Sequence, residues 1–368
     1  MTSSHHYQNN RSDYFLNITV FVLLIFGLFM LTSASGPSAF KQFGDQYHFL
    51  KRQIIFGLLP GLVLFFLFSK IDYKILQKNF WFFGIATLVL LASVFIPVIG
   101  QNYGKAQSWI KIFGLSFQPA EFVKLTLIIF LSGWMAQFIE REKIRMSWLP
   151  ILVFMGLVGA LMMMQPDLGG FLIFCLIAGV VYFLAKTPLW HLAVILVIGL
   201  LALGMLIKIA PYRLDRLTSF LNPEQNSLGS SYQINQAKIA VGSGGFFGVG
   251  FGQSRQKYQY LPEITSDSIF AVIAEELGFI VSIMVVAAYL FIFWRIWKIA
   301  RSTSDMFGKL AAGAVSVWFI GQAYINIGGI LSLMPLTGLP LPFISNGGSA
   351  LTVSLGALGL VQSIAKES

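Results

Sequence analysis

Ten stretches of the chain are apolar for long enough, roughly 20 residues each, to cross a hydrocarbon layer about 30 Å thick. They cover residues 14–32, 53–69, 79–98, 119–138, 148–164, 168–185, 190–209, 267–293, 308–334 and 347–365. Of 368 residues, 56% are hydrophobic and only 11% charged, with a mean hydropathy of +0.75. That leaves too little polar surface to cover a soluble globule. The expected fold is therefore an all-α polytopic membrane protein with ten transmembrane helices and a large extracytoplasmic loop between the seventh and eighth. No repeat of 20–50 residues and no Pro- or Ser-rich linker divides the chain, so residues 1–368 read as one domain, with 1–13 a cytoplasmic tail and 210–266 the large outer loop.

Orientation follows from where Lys and Arg fall. With the amino terminus in the cytoplasm, thirteen basic residues lie in inner segments, among them Lys70, Lys74, Lys78, Arg141, Arg295 and Lys366. Five, namely Lys41, Lys51, Arg52, Lys105 and Lys111, lie in short outer loops. Both termini are therefore expected in the cytoplasm. Most of the +10 formal charge is topology rather than a nucleic-acid surface. Residues 1–13 are polar and no small-residue cleavage site follows, so the first span reads as a retained signal anchor. A single Cys175 excludes an internal disulfide, and four scattered histidines give no zinc-ligand spacing. His191 opens a span and reads as a snorkelling side chain.

The outer segment from Pro211 to Ser266 is longer than a normal helix connection, which points to function. Within it Ser231 can cap an amphipathic helix running to Val241, with Ile234, Ala237 and Val241 on one face suited to the membrane interface. Six glycines follow between Gly242 and Gly252. They lack the Gly-Lys-Ser/Thr ending and the spacing of nucleotide loops, so tight turns packed on helices are favoured over phosphate contact.

Four ionisable side chains that are expensive in lipid fall on one side of the membrane by this count: Glu121, Lys124, Asp167 and Asp267. Thr265 or Ser266 can cap the eighth helix, placing Asp267 in its first turn. Ala271, Ala274 and Gly278 lie within about 40° of Asp267 on that helix and outline a smooth groove below the carboxylate. Glu275 and Glu276 lie off this line at membrane depth, where they need partners or water. Each charge also has a plain explanation: a first-turn acid complements the helix dipole, Glu121 and Lys124 three residues apart can neutralise each other, and Asp167 can cap a turn. Taken together, they outline a polar cavity beneath the outer surface.

These same segments carry a resemblance. Gly248-Val-Gly-Phe-Gly-Gln-Ser-Arg-Gln-Lys-Tyr-Gln-Tyr-Leu-Pro-Glu263, Asp267-Ser-Ile-Phe-Ala-Val-Ile-Ala-Glu-Glu-Leu-Gly278, Gln118-Pro-Ala-Glu-Phe-Val-Lys124, Gln165-Pro-Asp-Leu-Gly169, Asn326-Ile-Gly328 and Pro335-Leu-Thr-Gly-Leu-Pro-Leu-Pro-Phe-Ile-Ser-Asn-Gly-Gly348 resemble the SEDS family (shape, elongation, division and sporulation) in order along the chain. Ser33-Ala-Ser35 and Asn222 to Gln233 are closer to its division branch, FtsW, than to the elongation branch, RodA. The resemblance implies a peptidoglycan glycosyltransferase of the bacterial cytoplasmic membrane. Such an enzyme polymerises lipid II on the outer face into undecaprenyl diphosphate-linked glycan, with a class B penicillin-binding transpeptidase and other division proteins as partners. It implies that Asp267 is the catalytic residue and that Glu121, Lys124 and Asp167 line the same cavity.

Such transfer, with inversion, needs a base at the acceptor 4-hydroxyl and positive charge at the departing diphosphate. Lys124, Arg255 and Lys257, or a divalent cation (Mg or Mn) held partly by Asp267, are the sources considered, with Lys105 and Ser345 as further substrate contacts. Three departures from the family pattern bear on substrate contacts. Gln107 and Ser108 stand before Trp109 where arginines are common, with Lys105 or Lys111 as substitutes; Ser268 stands in place of an aromatic; Asn346 replaces a tyrosine. The rival readings are a lipid II flippase, a non-catalytic division scaffold, and an elongation role. Transporters usually carry internal repeats and broken helices at mid-membrane depth, and no repeat appears here.

Overall fold

The computed structural model describes residues 12–103, 106–112, 115–142, 148–188, 190–191, 220, 230–258 and 260–367. Helix α1 (Tyr14–Phe43) starts at Asp13, whose side chain accepts from Leu16 N, and stops at Gly44 in the left-handed conformation. It outlasts the expected span by eleven residues, because the small residues Ser33, Ala34, Ser35 and Ala39 pack inside rather than fraying. Next come α2 (His48–Lys70), with a π-turn at Ile54–Leu58, the short α3 (Tyr73–Lys78) and α4 (Phe80–Ser93). α4 ends before the expected residue 98, since Pro97 disfavours helical backbone at Ile96. The all-α expectation needs correcting at this point. Gly100–Tyr103 (β1), Ala106–Ile112 (β2) and Leu115–Phe117 (β3) form an antiparallel meander in which Ser108 and Ile110 turn inward, two residues apart.

The remaining helices are α5 (Pro119–Glu140), α6 (Trp148–Met164), α7 (Leu168–Leu184), α8 (Ser230–Gly244), α9 (Ile269–Ser302), α10 (Met306–Ile330) and α11 (Gly348–Ala365). Among the described residues, six helices (α1, α2, α5, α9, α10 and α11) are long and apolar enough to cross a membrane, and α4, α6 and α7 are shorter apolar helices. The expected seventh span beyond His191, residues 210–219 and 221–229 of the loop after it, and Lys105 lie outside the described residues. The chain is a multi-pass membrane protein. Lipid-facing stripes are visible directly: α1 exposes Ile18, Val22, Ile25 and Phe29 and buries Leu16, Val20, Leu24 and Leu31.

Contacts sort the two ends of the bundle. At one, Arg295 reaches Asp13 at 2.7 Å, the Asp13 amide donates to Gln362, Ser363 bonds Ile71 O and Lys74 pairs with Glu367. At the other, the Gln53 side chain donates to Ser345 O and accepts from Gly347 N. The amino-terminal end of α1, the turn after α2 and the end of α11 therefore share one end.

α9 differs most from expectation. It begins at Ile269, not at residue 267, and Asp267 belongs to the preceding turn. At Gly278 (φ 76°) the helix breaks into two pieces. Residues 269–276 are buried on every side, whereas the second piece buries the stripe Val285, Tyr289, Ile292, Ile296 and Ile299 and exposes Ile283, Met284, Leu290 and Trp294. A break frees backbone groups that would otherwise pair along the helix, and the glycine-rich stretch supplies their partners. Val249 N and Gly250 N donate to Glu275 O and Glu276 O, while Phe279 N and Ile280 N donate to Gly245 O and Phe246 O. The approach is close enough that a Cβ on Gly278 would sit 2.3 Å from Gly248 N.

The groove expected along Ala271, Ala274 and Gly278 is consequently filled by the chain itself. The glycines serve close packing. Helix α8 is likewise not a free interfacial helix, because Ser231, Ile234, Ala237 and Ala240, one every three residues, are buried against the protein.

A buried ion pair ties this assembly to α1. Lys257, 5% exposed, donates to Glu276 at 3.1 Å and to Gly252 O, and Glu276, fully buried, also accepts from Ser33 at 2.7 Å and from Ser254 N. Glu275 takes Ser254 Oγ and Arg255 N. Both carboxylates thus find protein partners. Lys257, expected at the substrate, is consumed in neutralising Glu276.

Gly278→Ala adds a left-handed alanine, costing about 1–2 kcal/mol, plus a backbone clash. It should lower the unfolding midpoint in detergent, whereas Gly179→Ala, where an added methyl meets nothing within 4 Å, leaves it unchanged. Lys257→Met should destabilise by roughly 3–5 kcal/mol, because it leaves a buried charge unpaired. Adding Glu276→Gln should recover most of that loss; equal midpoints for the single and double variants would show that charge is not the cause.

Candidate active site

Three consecutive carbonyls lead into α9, and each is held by a donor from the segment 326–346. Asn346 N donates to Thr265 O at 2.8 Å, Ser345 Oγ to Ser266 O, and Asn326 Nδ2 to Asp267 O at 2.8 Å. Asp267 is 8% exposed, its Oδ2 lying 3.5 Å from Gln233 Nε2, which also donates to Ser268 Oγ at 2.9 Å. Gly338 (φ 74°) faces the carboxylate, an added Cβ there falling 3.9 Å from Oδ2. Ser345 and Ser268 are thereby committed to the protein, and Leu341 N donates to Ser345 Oγ as well.

The pair on α5 meets the same loop from the other side. Pro119 opens the helix, putting Glu121 in its first turn. Lys124, 1% exposed, donates to Glu121 at 2.6 Å and to Gln322 Oε1 at 2.9 Å, with Trp318 Nε1 on the same oxygen at 2.8 Å. Gln322 Nε2 donates to Pro340 O and, one turn along α10, Asn326 Nδ2 donates to Leu339 O, both at 2.7 Å. Asp167 caps α7 by accepting from Gly170 N at 2.7 Å, and the following Gly169 packs against Thr337 and Leu339. The stretch Thr337–Pro340 is thus the meeting point of the Asp267 turn, the Glu121–Lys124 pair and the Asp167 turn.

All four lie at the end of the bundle opposite the Asp13–Arg295 and Lys74–Glu367 pairs. Lys124 is interior and ion-paired, while Arg255 and Lys111 are exposed. Gln107 Nε2 bonds Val94 O and Ser108 Oγ bonds Gln165 O, so both hold the meander in place. Residues that the sequence reading missed are Gln53, Gln233, Gln322 and Trp318, together with the role of Asn326. The available signal was amides inside otherwise apolar spans, which need internal partners. Among the described residues no three His, Cys, Asp or Glu side chains converge to hold a metal ion.

Known proteins share this architecture. A chain in a structure titled "Structural coordination of polymerization and crosslinking by a peptidoglycan synthase complex" superposes with a TM-score of 0.76 at 28% identity, covering 96% of this chain and 97% of that one. The rod shape determining protein RodA of Thermus thermophilus superposes with a TM-score of 0.70 at 26% identity, covering 96% of each. In sequence, the chain is 37% identical over 360 residues to stage V sporulation protein E of Bacillus subtilis (strain 168), covering 97% of both. It is 38% identical over 358 residues to the probable peptidoglycan glycosyltransferase FtsW of Trichlorobacter lovleyi, covering 96% of this chain and 92% of that one. Residues 14–368 match the family described as cell cycle protein. The chain belongs to this family, which unites FtsW, RodA and SpoVE.

Proposed function

We propose that this chain is a peptidoglycan glycosyltransferase that polymerises lipid II during cell division, with Asp267 as its general base. The observation that carries the reading is a carboxylate mounted on a turn whose three carbonyls are all tied down, at the meeting point of the charged segments. Support for the reaction comes from relatives at 33–38% identity named probable peptidoglycan glycosyltransferase FtsW. Ten spans, with both termini cytoplasmic and Asp267 on the outer face of the bacterial cytoplasmic membrane, accommodate a substrate whose sugars lie outside.

Asp267 takes the proton of the acceptor 4-hydroxyl as that oxygen attacks C1 of the donor sugar. The C1–oxygen bond to the undecaprenyl diphosphate breaks with inversion, the diphosphate leaving with the electron pair. The departing charge needs exposed cations. Arg255 and Lys111, both exposed, meet that requirement, and the buried Lys124 holds Glu121 and Gln322 in place instead. Among the described residues no three acidic, His or Cys side chains converge here, so a Mg or Mn ion held partly by Asp267 would draw further ligands from diphosphate oxygens and water. A class B penicillin-binding transpeptidase is the partner class, in keeping with the synthase complex whose chain superposes on this one.

Purified protein with its cognate transpeptidase should convert lipid II to glycan strands, and Asp267→Asn should lower that rate by roughly 10²–10⁴-fold while lipid II still binds. Lipid movement across vesicles without polymer would favour the flippase instead, and wild-type polymerisation by Asp267→Asn would remove the aspartate from its role.

A further inference from the structure

We infer that Asn326 is a positioning residue for Asp267, acting through the backbone. The inference rests on the reading of Asp267 as the base, and it starts from the backbone carbonyl of that residue. Residues 262–268 are irregular, and Ala271 N closes on Ser268 O, so Asp267 stands just ahead of the regular hydrogen bonds of α9. Asn326 donates to the Asp267 carbonyl at 2.8 Å and spends the second hydrogen of the same amide on Leu339 O at 2.7 Å. One side chain therefore fixes the spacing between the aspartate's backbone and the loop that carries Gly338 opposite its carboxylate.

That side chain is itself well held. Asn326 is buried on α10, and one turn earlier Gln322 ties the same loop to Lys124 and Trp318. At the far end of the loop Gln53 grips Ser345 O and Gly347 N. Phe343, buried at φ 66°, is strained for a non-glycine residue, and its neighbours keep it so: Phe319 packs on its ring at 5.0 Å and Tyr289 donates to Pro342 O. From a loop pinned at both ends, Asn326 reaches the backbone of the reacting residue itself. A general base must stand within hydrogen-bond reach of the proton it removes, and misplacement by about 1 Å costs on the order of 100-fold.

The test uses the full chain with its transpeptidase, and rates are expressed per folded, monodisperse molecule. Asn326→Leu, close in size and without donors, should lower kcat by about 100-fold while the KM for lipid II stays within about threefold. Asn326→Ser, which is smaller and keeps one donor, should fall between that variant and the wild type. Adding Asn326→Ser to Asp267→Asn should leave the residual rate unchanged, because the base being positioned is already gone. A purely structural role would instead lower the yield of folded protein and leave kcat alone. Near-wild-type kcat in both Asn326 variants, with Asp267→Asn inactive, would overturn the positioning role and leave the base intact. Wild-type polymerisation by Asp267→Asn would overturn both.

Discussion

Peptide groups that leave a helix inside a membrane bundle have little water to turn to, so each must find a partner within the protein. Here two irregular stretches, 262–268 and 331–347, satisfy each other and share a small set of buried amides and hydroxyls. Asn326, Ser345 and Asn346 serve the first stretch; Gln322, Gln53 and Tyr289 serve the second. Neither stretch is satisfied without the other, and Asp267 sits where they join. A mobile loop could not hold a base at fixed distance from an acceptor hydroxyl; a cross-bonded one on a helical frame can.

The same constraint explains the glycines. Once α9 breaks at Gly278, carbonyls at 275 and 276 and amides at 279 and 280 need new partners, and the chain brings another backbone alongside. Side chains would hold the two strands of chain apart, which is why glycine stands at 248 and 278. The Lys257–Glu276 pair then anchors this contact to Ser33 of α1. Two features that look separate in the sequence, a glycine-rich run and a pair of membrane-depth glutamates, are halves of one joint.

Much of this was legible in the chain. The positions of α1, α5, α6, α7, α10 and α11 follow from apolar runs bounded by Pro, Asp and Gly, and the grouping of Glu121, Lys124, Asp167 and Asp267 at one end follows from counting spans. What could not be read depends on long-range pairing. Gly278 looks like one more small residue on a helix face until the partner at 245–250 is known. The meander at 100–117 is short, and among the described residues its alternation is seen from Ser108 to Lys111. Lys257 and Arg255 are two residues apart and alike in the sequence, yet one is buried against Glu276 and the other faces solvent; only tertiary contacts separate them.

That difference bears on how the charges divide their work. A lysine with two or three internal acceptors at 2.5–3.4 Å is already spent, as Lys124 and Lys257 are, and recruiting either to a diphosphate would leave Glu121 or Glu276 buried and unpaired. Such a penalty, several kcal/mol, is comparable to what the new contact would return. Buried cations are therefore best suited to holding the frame still through catalysis. The charge that meets the leaving group has to come from side chains whose alternative partner is water, and Arg255, whose backbone is fixed by Glu275, combines a set origin with an exposed guanidinium. In the proposed mechanism Glu275 holds the backbone of the arginine assigned to the departing diphosphate, while Glu276 and Lys257 keep the surrounding joint rigid.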